Sequence, residues 1–153
     1  MSKYRIHLLG RFYLSLNEEP VTGFRSDKVQ ALLAYLAIEG VVPVARKQLA
    51  ELLWWGYVEH SSRLSLRQAL HNLNQIFAPL VVLRASRQTI QIDRVQGHLT
   101  CDLWEVQSLL TRDPSTFSAA DWKLLQASSG AELLDGLALI DSAPFKLWLE
   151  KQR

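Results

Sequence analysis

A single cysteine, Cys101, stands among 153 residues. An internal disulfide needs two, so a disulfide scaffold is excluded and a reducing cytoplasm fits. Four histidines are scattered without ligand spacing, which excludes a zinc site of the usual kinds. No apolar run approaches the roughly 18 residues that a bilayer span requires. The opening Met1-Ser2-Lys3-Tyr4-Arg5-Ile6 lacks the apolar stretch of a secretory signal. No glycine-rich phosphate loop or oxyanion arrangement is visible. His98, Cys101 and Asp102 lie close in sequence, but they fall at a linker and a helix cap, so no catalytic residue, cofactor, metal or small-molecule substrate is expected. Hydrophobic residues make up 48% and charged residues 21%, enough to bury a core and too apolar for disorder.

Charge is unevenly placed. Residues 1–97 hold 12 Lys/Arg against 7 Asp/Glu, a net +5, whereas residues 98–153 hold 5 against 8, a net −3. A basic first part beside an acidic second part suits an anionic partner for the first, although ordinary surface variation gives the same numbers half the time.

Tyr4, Ile6 and Leu8 alternate with Arg5 and His7, and Phe12, Leu14 and Leu16 alternate with Tyr13 and Ser15. Period two predicts two half-buried strands joined at Gly10-Arg11, with His7 exposed. Asn17-Glu18-Glu19-Pro20 reads as a turn, and Val21 as the start of a third short strand. Ser26-Asp27 offers a helix N-cap, with Gln30 in capping-box position, and Val29, Leu32, Leu33 and Leu36 make one helical face ending at Gly40. A second helix runs from Arg46 to Trp54 behind Ala45, a poor cap, with Leu49, Leu52 and Leu53 inward. A third covers Ser62 to Phe77, where Leu66, Leu70, Leu73 and Phe77 form a narrow stripe, and Pro79 ends it. Residues 81–92 predict a β-hairpin with Ala85-Ser86-Arg87 at its tip. Residues 93–100, including Gly97, read as a linker.

Three strands, three helices and a hairpin define an α+β fold, a winged helix-turn-helix over residues 1–95. Residues 96–153 turn helical. Asp102 with Glu105 and Ser118 with Asp121 have capping-box spacing, and a further helix spans 144–153. Leu103, Trp104, Val106, Leu109, Leu110 and Trp122 exceed what two short helices bury alone. They pack on the winged helix or on later helices, or else form a partner surface. The chain stops inside an apolar helical pattern, Phe145, Trp148 and Leu149, so an incomplete helical array is expected.

Arg5-Ile6-His7-Leu8-Leu9-Gly10-Arg11-Phe12, the stretch from Phe24 to Ala37, Leu49-Ala50-Glu51-Leu52-Leu53-Trp54 and Leu66-Arg67-Gln68-Ala69-Leu70 resemble the Streptomyces antibiotic regulatory protein (SARP) family. Leu134-Asp135-Gly136-Leu137 and the run from Asp141 to Leu149 resemble the start of that family's bacterial transcriptional activator domain. The resemblance implies an OmpR-type winged helix followed by a tetratricopeptide-like helical domain. It also implies an activator that binds double-stranded promoter DNA, with two protomers on tandem sites and RNA polymerase as a further partner.

At 100° per residue, with Leu66 inward, Leu64, Gln68, His71, Asn72 and Gln75 point away from the core, with Arg67 and Asn74 on one flank. Amides on such a face can pair bidentately with adenine, so Gln68, His71, Asn72 and Gln75 are the expected base readers. Phosphate contacts are expected from Arg46, Lys47, Trp54 through its indole N–H, Arg63, Arg67 and Asn74. Arg84 and Arg87 lie on the hairpin that the family places against the minor groove or backbone. The bland alternative is a solvated helix face. Family recognition helices carry arginines where this chain has Asn72, Asn74 and Gln75. That departure leaves three options: a site richer in A·T, weak binding that needs a second protomer, or a protein-interaction module of a larger signalling protein whose DNA surface has decayed.

Overall fold

A computed structural model of the chain describes residues 3–94, 98–128, 131–135 and 142–152. Strands β1 (Tyr4–His7) and β2 (Tyr13–Leu16) pair antiparallel, Ile6 opposite Leu14. Their alternation places Tyr4, Ile6, Leu8 and Leu14 in the core, as the period-two pattern predicts. The next strand, β3 (Glu19–Pro20), lies inside the segment read as a turn rather than at Val21. Asn17 and Glu18 take up the reversal with φ of 50° and 73°, the left-handed pair that a two-residue hairpin turn demands. Val21 N–H then donates to Leu14 O at 2.8 Å.

Helix α1 (Asp27–Glu39) starts at Ser26, whose side chain makes no capping bond, so the expected capping box is absent. Burial holds the helix instead: eight of its residues, Val29 and those from Ala31 to Ala37, are buried. Gly40 ends it for a steric reason: a Cβ there would sit 2.6 Å from Leu36 O. A short strand the sequence pattern missed, β4 (Val44–Ala45), leads directly into α2 (Arg46–Leu53), capped by Ala45 as expected. Helix α3 (Glu59–Phe77) begins a turn earlier than the apolar stripe suggested, behind Val58. Strands β5 (Leu83–Ala85) and β6 (Thr89–Ile92) form the hairpin, and β4 joins it through Val44 opposite Ile90.

The segment read as a linker contains a strand. Its Gly97 and the expected boundary at 95/96 lie outside the described residues, but β7 (Leu99–Cys101) pairs parallel with β1 and completes a sheet of order β3-β2-β1-β7. Helix α4 (Asp102–Leu110) follows at once, with Cys101 as its N-cap. Asp102, expected to cap this helix, is buried and turns to β1: its Oδ1 accepts from Leu8 N–H at 2.9 Å and its Oδ2 from Leu9 N–H at 3.1 Å. The end of β1 is thereby satisfied by a carboxylate that follows directly on the neighbouring strand β7. A 3-10 turn at Pro114–Thr116 leads to α5 (Ala119–Ser128). There the expected reciprocal cap is present: Ser118 N–H donates to Asp121 Oδ2 at 2.9 Å, and Asp121 N–H to Ser118 Oγ at 3.2 Å.

Beyond β7 and Asp102, the helical part also grips the winged helix through Trp104, residues 131–135 and a further helix. Trp104 is buried, and its indole N–H donates to Ala37 O at 2.7 Å. Residues 131–135 bridge back to the end of β1, where Leu134 N–H donates to Leu8 O at 2.8 Å. Helix α6 (Ala143–Gln152) lies against α2, with Phe145 and Leu149 fully buried. Trp148 packs its ring 4.7 Å from Tyr35, and Ser142 Oγ donates to Leu52 O at 2.5 Å. Of the apolar surplus of the second part, Leu103 and Trp104 pack on the common core, while Leu110 and Trp122 stay exposed. Of the motifs that carry the family resemblance here, Gly136 to Asp141 lie outside the described residues.

Candidate nucleic-acid interface

Helix α3 has two faces of different width from those the stripe implied. Its buried side takes in Ser62, Leu66, Ala69, Leu70, Asn72, Leu73 and Phe77. Its exposed side carries Arg63, Leu64, Arg67, Gln68, His71, Asn74 and Gln75. Among the described residues nothing of the helical part covers this exposed side, so a groove-sized rod remains available.

Asn72 is the correction. It is 4% exposed, so it is no base reader. Its Oδ1 accepts from Arg25 N–H at 2.9 Å, and its Nδ2 donates to Gly23 O at 3.0 Å. The side chain staples the loop before α1, where Gly23 holds φ of 107°, to the recognition helix. A buried amide needs such partners, and this one finds both. Its lack of positive charge is therefore not a missing DNA contact.

Five of the eight expected phosphate contacts gather at one cleft of about 580 Å³, lined by Ala45, Arg46, Lys47, Arg63, Leu66, Arg67, Arg87 and Gln88, while Asn74 lies in a groove beside it. Three elements supply them. The N-terminus of α2 brings Arg46 and Lys47, α3 brings Arg63 and Arg67, and the hairpin tip brings Arg87. Among the described residues no carboxylate lines this cleft. Glu59, one turn before Arg63, pairs with it at 2.5 Å, but both side chains are well exposed and such a pair is worth only ~0.3–0.5 kcal/mol. A phosphate can replace it.

Arg46 also fixes the geometry of the cleft. Its backbone N–H donates to Gln88 O at 2.8 Å and its Nε to Ser86 O at 2.8 Å. Short strand β4 makes this possible by hydrogen-bonding to β6 immediately before α2 begins. The hairpin tip is therefore tied to the start of the second helix, and Ser86 Oγ closes the tip by accepting from Thr89 N–H at 2.9 Å. A smaller groove beside it, lined by Arg46, Arg67, Leu70, His71, Asn74, Leu83, Ala85 and Ile90, separates α3 from the hairpin. His71 and Asn74 thus face the hairpin, while Gln68 and Gln75 stand outward.

Two expected phosphate contacts sit differently. Trp54 is buried against the core and shows only an edge to the cleft at the α2–α3 turn, with Lys28 Nζ 6.0 Å above its ring. Arg84 lies on β5 and pairs with Asp93 at 3.0 Å, away from the cleft that holds Arg87.

Two of the residues weighed for catalysis, Cys101 and Asp102, are spent on structure. Cys101 is fully buried, and burial pushes its thiol up to about 12. A thiol that stays protonated in the core is no nucleophile. His7, expected to be exposed, is half-buried: its ring stacks on Tyr13 at 3.7 Å and its Nε2 is 3.0 Å from Ser15 Oγ. Among the described residues no group of three His, Cys, Asp or Glu side chains could hold a metal ion, and no helix is long and apolar enough to cross a membrane.

The arrangement is that of a winged helix: α3 exposed along one side, α2 whose start meets a β-hairpin, and a helical extension behind. No protein-family model matches the chain, and no curated protein matches it. Among solved structures it is similar to EmbR of Mycobacterium tuberculosis, determined in complex with a low affinity phosphopeptide. The TM-score is 0.73 at 22% sequence identity, over 99% of this chain and 42% of that one. The fold is therefore the α+β winged helix with a helical extension that the SARP resemblance implies, and the chain spans less than half the length of the protein it matches.

Proposed function

We propose that the chain is a sequence-specific, DNA-binding regulator of transcription, with promoter duplex DNA as its partner. Helix α3 enters the major groove with Gln68 and Gln75 toward base edges and with His71 and Asn74 on the flank that faces the hairpin. Arg46, Lys47, Arg63, Arg67 and Arg87 hold the phosphates, and the β5–β6 hairpin lies along the backbone or minor groove. The observation that carries this reading is the carboxylate-free cleft where five cations from α2, α3 and the hairpin tip converge beside the exposed polar side of α3. Nothing in this role is catalytic. The helical extension serves contacts with a second protomer on a tandem site or with RNA polymerase, as suits a cytoplasmic activator.

Fluorescence anisotropy of the purified chain on duplex DNA across salt tests it. Five phosphate contacts give a slope of log K against log salt near −4.5, at ~0.9 per phosphate. Arg67→Ala should make the slope shallower by ~0.9. Absence of binding at low ionic strength would refute the proposal and leave the interaction-module reading.

A further inference from the structure

Three residues on α3 project outward from the exposed face without turning toward the cation cleft. Leu64, Gln68 and Gln75 fall within about 40° of one another around the helix axis at 100° per residue. All three are exposed, Leu64 at 44%. None lines the cleft that Arg63 and Arg67 share with the hairpin, and none lines the groove between α3 and β5–β6. The helix thus divides its labour: cations on the flank toward the wing, an uncharged ridge at the crest. The ridge spans 11 residues, about 16 Å at 1.5 Å per residue, the length of about five base pairs.

The chemistry of that ridge is selective. A glutamine amide offers one acceptor and donors side by side, which matches adenine N6 and N7. Guanine presents two acceptors at the same edge, so the amide oxygen meets O6 and the pair fails. Leucine has no polar atom and suits only the thymine C5-methyl in this groove. An arginine at the crest would select guanine, and this crest has none.

We propose that Leu64, Gln68 and Gln75 are the specificity-determining residues and that they direct α3 to an A·T-rich segment of about five base pairs. This rests on the DNA-binding reading and adds to it a base preference. Selection from a duplex pool with a randomised centre, using the purified chain, tests it. The wild-type chain should enrich an A·T block, with G·C substitution inside it weakening binding about 5- to 150-fold per bidentate position. The double variant Gln68→Ala, Gln75→Ala should lose the enrichment, because the amides that read the block are gone while the cations of the phosphate cleft stay in place.

A G·C-rich selected block, or an A·T block that survives in the double variant, overturns the ridge assignment while DNA binding itself stands. Retention of no duplex at all, at low salt, overturns the DNA-binding reading beneath it. Matching circular dichroism melts for the variant and the wild-type chain keep loss of folding separate from loss of readout.

Discussion

Asn72→Ala should unfold the chain more readily without first altering any base contact. The side chain satisfies two backbone groups of the loop before α1, the Arg25 N–H and the Gly23 C=O. Truncation leaves both without that partner at a site where the amide itself is buried. Each stranded group costs ~1–3 kcal/mol, with some relief from water entering at the loop. A net loss of about 2–4 kcal/mol is expected, against a typical total of ~5–15 kcal/mol. For a domain of this size that lowers the melting temperature by about 10 °C, at roughly 2–4 °C per kcal/mol. Gln68→Ala, four residues earlier on the exposed side, should stay within ~0.5 kcal/mol of wild type. Thermal melts followed by circular dichroism separate the two. An Asn72→Ala chain that melts with wild type yet loses DNA binding would refute the loop-staple assignment and restore Asn72 to the groove.

Burial lowers the pKa of His7 below its usual 6.5; the charge of Arg5 adds to this, while Asp102 and Glu105 oppose it. The unfolded chain then binds the proton more readily, so stability rises with pH through the window below 6.5 and is lost as pH falls. Melting temperatures should drop between pH 7.5 and pH 5.5, and His7→Gln should flatten that drop; an unchanged slope in the variant sinks the assignment. Trp148→Ala should cost about 2 kcal/mol in urea denaturation, less than a fully buried aromatic because the ring is half-buried. It should also speed tryptic cleavage at Lys146 and Lys151, since α6 loses its packing on Tyr35 and its hydrogen bond to Glu39. A variant as stable and as protease-resistant as wild type would show that α6 is not held there.

What the sequence discloses here depends on how local the cause is. The three helices, the hairpin and the reciprocal cap of Ser118 with Asp121 follow from periodicity and short-range hydrogen bonding, and they appear where expected. Strands β4 and β7 are two and three residues long, too short for any period, and each exists only because a distant partner strand, β6 or β1, offers a free edge. Asp102 has the right spacing for a cap, yet two strand-end N–H groups 93 and 94 residues away compete for its oxygens and win.

Helix α3 shows the same rule at the candidate site. The cations of the cleft were legible singly as arginines and a lysine, but their convergence depends on Arg46 reaching the hairpin tip, which the β4–β6 pairing sets up. Asn72 was misplaced because the apolar stripe of Leu66, Leu70, Leu73 and Phe77 marks only the centre of the buried side. The packing of α3 on α1 and on the preceding loop widens that side until it includes an amide. A polar residue at the shoulder of a stripe faces solvent in an isolated helix and backbone in a packed one, and only the loop that reaches it decides which. By that rule Leu64, Gln68 and Gln75, farthest from the stripe, are the positions whose exposure the helix alone could assign, and they are the ones the proposal sets against the base pairs.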